Sequence, residues 1–297
     1  MFFYRIIFTV IFVSFLFSGC KKSDEVTNNN DSQKLNKSPK RGVAYNLTSE
    51  ADMSTLKSGI SWWYNWGTYT SAPKNYYNNY EMEFIPMLWG GSTSNNDMLT
   101  VKSFILEHGE IKYLLVMNEP NLTDQANRTP EQAASDWLKY EKVVSDLAAS
   151  GRTIYLVGPA ITWGTMSGYS DPVVWLDAFY AAYRAANQNR DPAIDFLAFH
   201  WYDYGLSAQL DRLKKYDKKI WITEIANWNS QINSYAKQKE QMKDMINTCE
   251  TRSDVFRYAW FIGRGNFPDQ HFTYLFTSED GQLNELGQYY LSLPYNE

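Results

Sequence analysis

Two short apolar runs in the sequence each end at a glutamate. Residues 113–116 (YLLV) lead into Met117-Asn118-Glu119-Pro120, and residues 219–223 (KIWIT) lead directly into Glu224. A run that is apolar at successive positions, rather than at alternate ones, is typical of a parallel strand that is buried on both faces. The sequence therefore predicts a parallel sheet with a carboxyl group at the end of each of two separate strands.

Similar β-rich runs recur along the chain with helical stretches between them, which indicates repeated βαβ units. Eight strands are predicted, at residues 42–46, 60–66, 83–88, 113–117, 154–159, 195–202, 220–224 and 256–262. Among the helices between them, one is expected to start at Thr129-Pro130 and another at Asp171-Pro172. Eight units favour an α/β fold of the (β/α)8 TIM barrel type over an open doubly wound sheet, and the unusual polar residues at strand ends favour it too. We expect one domain over residues 41–297.

The first forty residues have a different composition. Arg5, the apolar stretch 6–17 and the small residues before Cys20 resemble a bacterial lipoprotein signal, in which Cys20 becomes the acylated N-terminus. The alternatives are an ordinary secretory signal or a short anchor helix. We expect a signal peptide at residues 1–19 and a flexible tether at residues 20–40. This predicts a protein anchored by lipid to the bacterial envelope, at the periplasmic or cell-surface side of the outer membrane.

Composition excludes several other functions. The net charge of -5 comes with no basic block beyond short pairs of Lys and Arg, which argues against a nucleic-acid partner. The three histidines, at 108, 200 and 271, are too scattered in sequence to predict a metal site, so no metal and no cofactor are expected. We expect a monomer.

The two glutamates have a chemical meaning as a pair. Retaining hydrolysis of a glycosidic bond needs one carboxylic acid to protonate the leaving oxygen and one carboxylate to attack the anomeric carbon, about 5 to 5.5 Å apart. Chemistry in a parallel barrel collects at the carboxyl ends of the strands. Glu119 and Glu224 can therefore meet across the mouth of the barrel although they are far apart in sequence.

The sequence resembles a known family at these positions. Asn118-Glu119-Pro120 and Ile222-Thr223-Glu224 are similar to the acid/base and nucleophile motifs of the large (β/α)8 clan of retaining glycoside hydrolases. The narrower resemblance is to glycoside hydrolase family 128, whose members cleave β-1,3-glucans. It is carried by the segments 41–46 (RGVAYN), 63–66 (WYNW), 86–90 (PMLWG), 199–202 (FHWY) and 258–261 (YAWF).

The resemblance implies roles for several residues. Glu119 would be the general acid/base, Glu224 the nucleophile, Asn118 a ligand of the sugar 2-hydroxyl, and Trp260 the platform for the sugar whose bond breaks. From the residues themselves, His200 and Tyr202 share one side of their strand, because side chains alternate with a period of two. We expect His200 to orient a carboxylate or contact sugar, and Tyr202 to donate to Glu224 or simply to pack.

Aromatic residues make up 16% of the chain, and several tryptophans lie at or just beyond strand ends. We expect Trp66, Trp163 and Trp260 to be exposed in the cleft. The sequence does not decide whether the other candidates line the cleft or pack in the core: Trp63, Trp89, Trp201 and Trp228. The sequence predicts a retaining endo-β-1,3-glucanase that acts on laminarin-like β-glucan. The alternatives are a β-1,4-glucanase or mannanase of the same clan, and a glycan-binding surface lipoprotein without turnover.

Overall fold

The predicted barrel is confirmed, with one strand interrupted. The computed structural model describes residues 37–91 and 93–295, so the signal peptide and Cys20 lie outside the described residues. The strands are β1 (Arg41–Ala44), β2 (Trp62–Tyr64), β3 (Glu83–Phe84), β4 (Met87–Leu88), β5 (Tyr113–Val116), β6 (Tyr155–Ile161), β7 (Phe196–Trp201), β8 (Lys219–Ile225) and β9 (Val255–Phe261). The helices are α1 (Glu50–Leu56), α2 (Tyr76–Tyr80), α3 (Asn95–Glu107), α4 (Pro130–Ala149), α5 (Pro172–Ala186), α6 (Leu206–Leu213), α7 (Tyr235–Thr251) and α8 (Glu285–Ser292).

All paired strands are parallel, and β3 and β4 together form the third strand of the barrel. β3 pairs with β2, β4 pairs with β5, and β1 pairs with both β2 and β9. The break falls at Pro86, which has no N–H to give to a ladder. The third predicted strand therefore connects its two neighbours in two short pieces, and the result is a single (β/α)8 barrel.

Two apolar layers stabilise the barrel. One lies inside it, where Trp62 and Trp221 pack edge to face with ring centroids 5.0 Å apart. The other lies between the strands and the helices and contains most of the buried aliphatic residues. At the amino ends of the strands, the guanidinium of Arg257 lies over the ring of Trp221 and pairs with Glu83 at 2.7 Å. The amino end is thus filled, which leaves the carboxyl end open for a site.

The two predicted helix starts are confirmed. Thr129 caps α4 by accepting from the backbone N–H of Gln132, whose side chain bonds back to Thr129, with Pro130 in the first turn. Asp171 caps α5, which also begins with a proline. Both signals are local, because each depends on the few residues at one helix end.

The start of the folded part differs from the prediction. We expected residues 37–40 to belong to the tether, but they contact the barrel. Lys37 donates to the carbonyl oxygens of Lys57, Ile60 and Tyr80, and Lys40 donates to three carbonyls at the end of α7. These lysines satisfy free carbonyls at loops and a helix end, which composition alone does not reveal. None of the helices within 37–91 and 93–295 is both long enough and apolar enough to cross a bilayer.

Candidate active site

An irregularity in β8 positions the second glutamate. Phe199 in β7 is paired with Ile222, but the next residue, His200, is paired with Glu224, so Thr223 is an extra residue in β8. A bulge of this kind redirects side chains and is common beside active sites. Here it lets two consecutive side chains, Thr223 and Glu224, both reach the ring of His200.

A strained turn positions the first glutamate. Met117 and Glu119, directly after β5, have φ angles of 59° and 46°, a region that residues with a side chain rarely occupy. Backbone hydrogen bonds to both neighbouring strands hold the turn, from Asn118 to Trp89 at 2.7 Å and from Glu119 to Ala160 at 2.8 Å. Conformations of this kind cost about 1 to 3 kcal/mol each and cluster at functional sites. The turn directs Glu119 into the barrel mouth.

The two glutamates meet as the sequence predicts, with His200 between them. One carboxylate oxygen of Glu119, one of Glu224 and a ring nitrogen of His200 all lie within 4.8 Å of one another. His200 Nδ1 is 2.8 Å from Glu119 Oε1 and 3.4 Å from Glu224 Oε2. This separation suits the short arrangement of a retaining glycosidase and not the arrangement of about 6.5 to 9.5 Å that leaves room for a water.

Glu224 is surrounded by hydrogen-bond donors. Its Oε1 accepts from the hydroxyl of Tyr64 at 2.8 Å and from the indole N–H of Trp66 at 2.7 Å, and its Oε2 accepts from the hydroxyl of Tyr202. Burial, and then the charge of Glu224, raise the pKa values of Tyr64 and Tyr202 well above 10, so both phenols keep their protons. Three donors on one carboxyl group stabilise its ionised form.

His200 is fully buried beside two carboxyl groups. Burial alone would lower its pKa, but the charge of Glu224 and the hydrogen bond and charge of Glu119 outweigh that effect. The net result is a pKa of His200 above its ordinary value of 6.5. The two acids therefore favour the protonated ring more than water would.

Glu119, His200 and Glu224 also have the proximity that a cation site needs, which the sequence did not predict. Their donor atoms are already engaged with protein groups, since Glu224 accepts from three side chains and His200 is bonded at both ring nitrogens. A cation would have to displace these hydrogen bonds. The arrangement fits proton transfer and nucleophilic attack better than metal binding.

The carboxyl pair lies in a cavity with a volume of about 780 Å³. Ligand pockets are commonly about 300 to 1,000 Å³ and rich in aromatic side chains. Trp66 and Trp163 line it, as expected, and 45% of the surface of Trp163 is exposed. Of the tryptophans left open by the sequence, three line the cavity as well: Trp89, Trp201 and Trp228. Trp63 is buried in the layer between strands and helices.

The prediction for Trp260 is wrong. Its side chain is completely buried, its indole N–H donates to the carbonyl of Thr273 at 2.8 Å, and it packs near Tyr290 of α8. Side chains alternate along β9, so Trp260 points outward and its neighbour Phe261 points into the cavity. Phe261 there contacts the rings of Trp66 and Trp228.

Asn118 lies in the wall of the cavity with an amide oxygen that has no partner among the described residues. Its amide nitrogen makes only a long hydrogen bond, 3.5 Å, to Gln125. A buried polar atom without a partner carries a free-energy cost, which is relieved when a ligand supplies the missing group. Asn118 is therefore placed where a sugar hydroxyl could bind.

Sequence reasoning missed three contributors to this site: Tyr64, Thr223 and Phe261. Tyr64 is in β2, within a quoted motif, and only its contact with Glu224 across the barrel gives it a role. Phe261 could have been found by alternation from Trp260, had the direction of that side chain been known. Thr223 precedes Glu224, and a regular strand would have turned it away from the site.

The fold and the carboxyl pair together define a glycoside hydrolase. The family described as the glycosyl hydrolase catalytic core matches residues 42–290, so the chain belongs to it. Solved structures narrow the assignment. The endo-β-1,3-glucanase of Pseudomonas viridiflava, of subgroup II of glycoside hydrolase family 128, is 54% identical, with 88% of this chain and 100% of that chain covered and a TM-score of 0.82. The chain is a member of glycoside hydrolase family 128.

Other relatives are similar over nearly the same part of the chain. The subgroup II endo-β-1,3-glucanase of Sorangium cellulosum is 32% identical, with 87% and 100% of the chains covered and a TM-score of 0.73. The subgroup I enzyme of Amycolatopsis mediterranei, in complex with laminaritriose, is 26% identical, with 85% and 98% covered and a TM-score of 0.62. Alkali-sensitive linkage protein 1 of Schizosaccharomyces pombe is 29% identical over 272 residues, 86% of this chain, but the chain spans only 45% of that protein.

Proposed function

We propose that this protein is a retaining endo-β-1,3-glucanase that hydrolyses laminarin-like β-glucan. The observation that carries the proposal is the approach of Glu119 and Glu224 within 4.8 Å, with His200 between them, in a cavity lined by aromatic rings. Membership of family 128 and the activity of the similar enzymes from Pseudomonas viridiflava and Sorangium cellulosum support the β-1,3-linkage.

The hydrogen-bond donors around Glu224 support different parts for the two carboxyl groups in a double displacement. A carboxylate oxygen of Glu224 attacks the anomeric carbon while protonated Glu119 gives its proton to the leaving glycosidic oxygen, and the carbon–oxygen bond of the substrate breaks. Glu119, now ionised, then takes a proton from water, whose oxygen displaces Glu224 from the sugar. The three donors around Glu224 stabilise the negative charge that the first step requires.

The walls of the cavity suit a β-glucan chain. Aromatic rings present flat apolar faces to the C–H faces of sugars, and Trp66, Trp163 and Trp228 line the space above the carboxyl pair. Asn118, whose amide oxygen has no partner among the described residues, borders the same space.

Two smaller cavities adjoin the central one and support an internal cut. One, of about 380 Å³, shares Trp228 and Phe261 with it and extends to Phe267, which is 50% exposed. The other, of about 320 Å³, shares Trp66 and Trp89. Cavities that continue from the central one add room for a longer chain, as an endo-acting enzyme requires.

The alternatives are less well supported. A β-1,4-glucanase or mannanase would use the same two carboxyl groups, but the similar structures are β-1,3-glucanases, one of them with laminaritriose bound. A glycan-binding protein without turnover has no need of three hydrogen-bond donors on one carboxyl group beside a second carboxyl group.

The test compares single-atom changes of the carboxyl groups. Glu119→Gln and Glu224→Gln are each expected to lower kcat on laminarin by about 10³-fold or more. Glu240→Gln is the matched control, because Glu240 is exposed on α7, and it should behave as the wild type. A parallel assay on β-1,4-glucan and mannan distinguishes the substrates. Wild-type turnover in either active-site variant would overturn the roles, and a preference for another polysaccharide would overturn the linkage.

We also propose that Cys20 is acylated and anchors the protein, as a monomer, to the bacterial envelope at the outer membrane. The motif before Cys20 and the polar segment after it support this. In cells fed a labelled fatty acid, the wild type should carry label and sediment with membranes, and Cys20→Ser should do neither. A labelled Cys20→Ser protein, or a wild type that is released without detergent, would contradict the anchor.

A further inference from the structure

The ring of His200 is fully buried, and each of its two nitrogens makes a hydrogen bond. Nδ1 faces Glu119 Oε1 at 2.8 Å, and Nε2 faces the hydroxyl oxygen of Thr223 at 2.9 Å. His200 and Thr223 are both buried. A neutral imidazole has one N–H donor and one bare acceptor nitrogen, so the direction of the bond at Nε2 decides which group Nδ1 presents to the acid.

The hydrogen bonds open to Thr223 determine which of the two groups donates in its bond with His200 Nε2. Within residues 37–91 and 93–295, the hydroxyl of Thr223 has no hydrogen-bond partner other than His200 Nε2. If the hydroxyl accepted from Nε2–H, its own proton would be buried without an acceptor, which is costly. If it donates to Nε2, every polar atom of the pair is satisfied, and Nδ1 must carry the ring proton.

We propose that Thr223 is a positioning residue that holds neutral His200 as the Nδ1–H tautomer, so that the ring donates to Glu119. The bulge in β8 is what makes this contact available, because it brings Thr223 and Glu224 to the same ring. The catalytic part of the proposal rests on the proposed function, whereas the tautomer does not.

The tautomer determines which oxygen of Glu119 moves a proton. Oε1 is held by Nδ1–H, while Oε2 has no hydrogen-bond partner among the described residues and Glu119 borders the cavity. Oε2 is therefore the oxygen that carries the proton to the leaving group and later takes one from water. With the opposite tautomer, the lone pair of Nδ1 would face the ionised form of Glu119 and repel it.

The groups that face His200 are few. Among residues 37–91 and 93–295, the charged ones are Glu119, beyond β5, and Glu224, on β8. Tyr64 and Tyr202 bond to Glu224 and stay neutral, because burial and the charge of Glu224 raise their pKa values. When His200 itself becomes protonated, both its nitrogens are donors, and the hydroxyl of Thr223 must turn to accept. The proposal concerns the neutral ring above the pKa of His200.

Nitrogen NMR tests the tautomer directly, because the chain has only three histidines. Protein labelled with ¹⁵N at histidine is titrated from about pH 5 to about pH 10, a range that brackets the ordinary histidine pKa of about 6.5. We expect the His200 resonances, assigned by their loss in His200→Asn, to show a protonated Nδ1 and a bare Nε2 once the ring is neutral. A bare Nδ1, or a ring doubly protonated throughout, would overturn the proposal.

Two variants of Thr223 link the tautomer to catalysis. Thr223→Ser keeps the hydroxyl and should retain both the NMR pattern and kcat. Thr223→Val keeps the shape but has no hydroxyl, and should lose the single-tautomer pattern and about tenfold in kcat with little change in KM, the effect of one lost hydrogen bond. An unchanged spectrum in Thr223→Val, or equal losses in both variants, would overturn the proposal. If the wild type cleaves no glucan, the proposed function fails while the spectra still decide the tautomer.

Discussion

The indole N–H of Trp66 lies 2.7 Å from Oε1 of Glu224, the same oxygen that accepts from Tyr64. Trp66 is thus both a wall of the cavity and a hydrogen-bond donor to the proposed nucleophile. Its φ of 62° shows that the backbone adopts a rare conformation to present the ring there. A residue expected only to contact sugar therefore also donates a hydrogen bond to the proposed nucleophile.

This double role predicts a specific loss in Trp66→Phe, which keeps an aromatic wall and removes the donor. We expect kcat to fall about tenfold or more with a smaller change in KM, because a hydrogen bond to a charged group is worth about 1.5 to 3 kcal/mol. Trp89→Phe is the matched control, since Trp89 lines the same cavity and makes no hydrogen bond to Glu224. Steady-state kinetics on laminarin measure both, and equal kcat losses would argue against the role of the donor.

The buried position of Trp260 predicts an effect on stability and none on the chemistry. Trp260→Phe removes the hydrogen bond to Thr273 and leaves a gap against Tyr290, so the free energy of unfolding should fall by about 1 to 3 kcal/mol. Trp163→Phe, at an exposed ring, should leave stability nearly unchanged. Urea denaturation measures this difference. A Trp260→Phe protein with wild-type stability and impaired sugar binding would restore the sequence prediction.

The side cavity at Phe267 predicts a dependence on chain length. Phe267→Ala should leave cleavage of short laminari-oligosaccharides unchanged and lower kcat/KM on long ones several-fold, because one aromatic contact with a sugar ring is lost. The control is Tyr155→Ala, an exposed ring at the start of β6, away from the carboxyl ends. A uniform loss over all chain lengths, or none, would exclude Phe267 from the binding trough.

The raised pKa of His200 predicts how stability changes with pH. The charge of Glu224 and the contacts with Glu119 outweigh burial and raise the pKa in the folded protein above the unfolded value of about 6.5. The resulting stabilisation is complete below about pH 6.5 and is lost as the pH rises through the folded-state pKa. The advantage of the wild type over His200→Asn in the free energy of unfolding should therefore be larger at about pH 6 than at about pH 9. An advantage that grows with pH would contradict the shift.

Much of the barrel could be predicted because its signals are local. Continuous apolar runs marked the parallel strands, and Thr129 and Asp171 marked two helix starts by their own capping hydrogen bonds. The two glutamates could be paired because the carboxyl ends of parallel strands meet at one end of a barrel. For the division of the third strand into β3 and β4, the sequence signal is Pro86, which has no N–H for the ladder.

The rest of the site depends on how residues of neighbouring strands are paired, which sequence patterns do not reveal. The bulge that turns Thr223 toward His200 adds one residue to β8, and a regular strand would have turned it away. The direction of Trp260 likewise depends on which face of β9 looks inward. Lys37 and Lys40 look like tether residues until the carbonyls that they bind are in place. In each case a contact between distant segments decides the outcome.

The central claim is that Glu119 and Glu224 perform a double displacement. The most direct measurement is the anomeric configuration of the first product. Proton NMR can record it during hydrolysis of a laminari-oligosaccharide whose reducing end has been chemically reduced, before the product mutarotates. The short separation of the two carboxyl groups predicts that the β-anomer appears first, with the α-anomer following only by mutarotation. An α-anomer formed first would show inversion by a water molecule and contradict the assignment of Glu224 as the nucleophile.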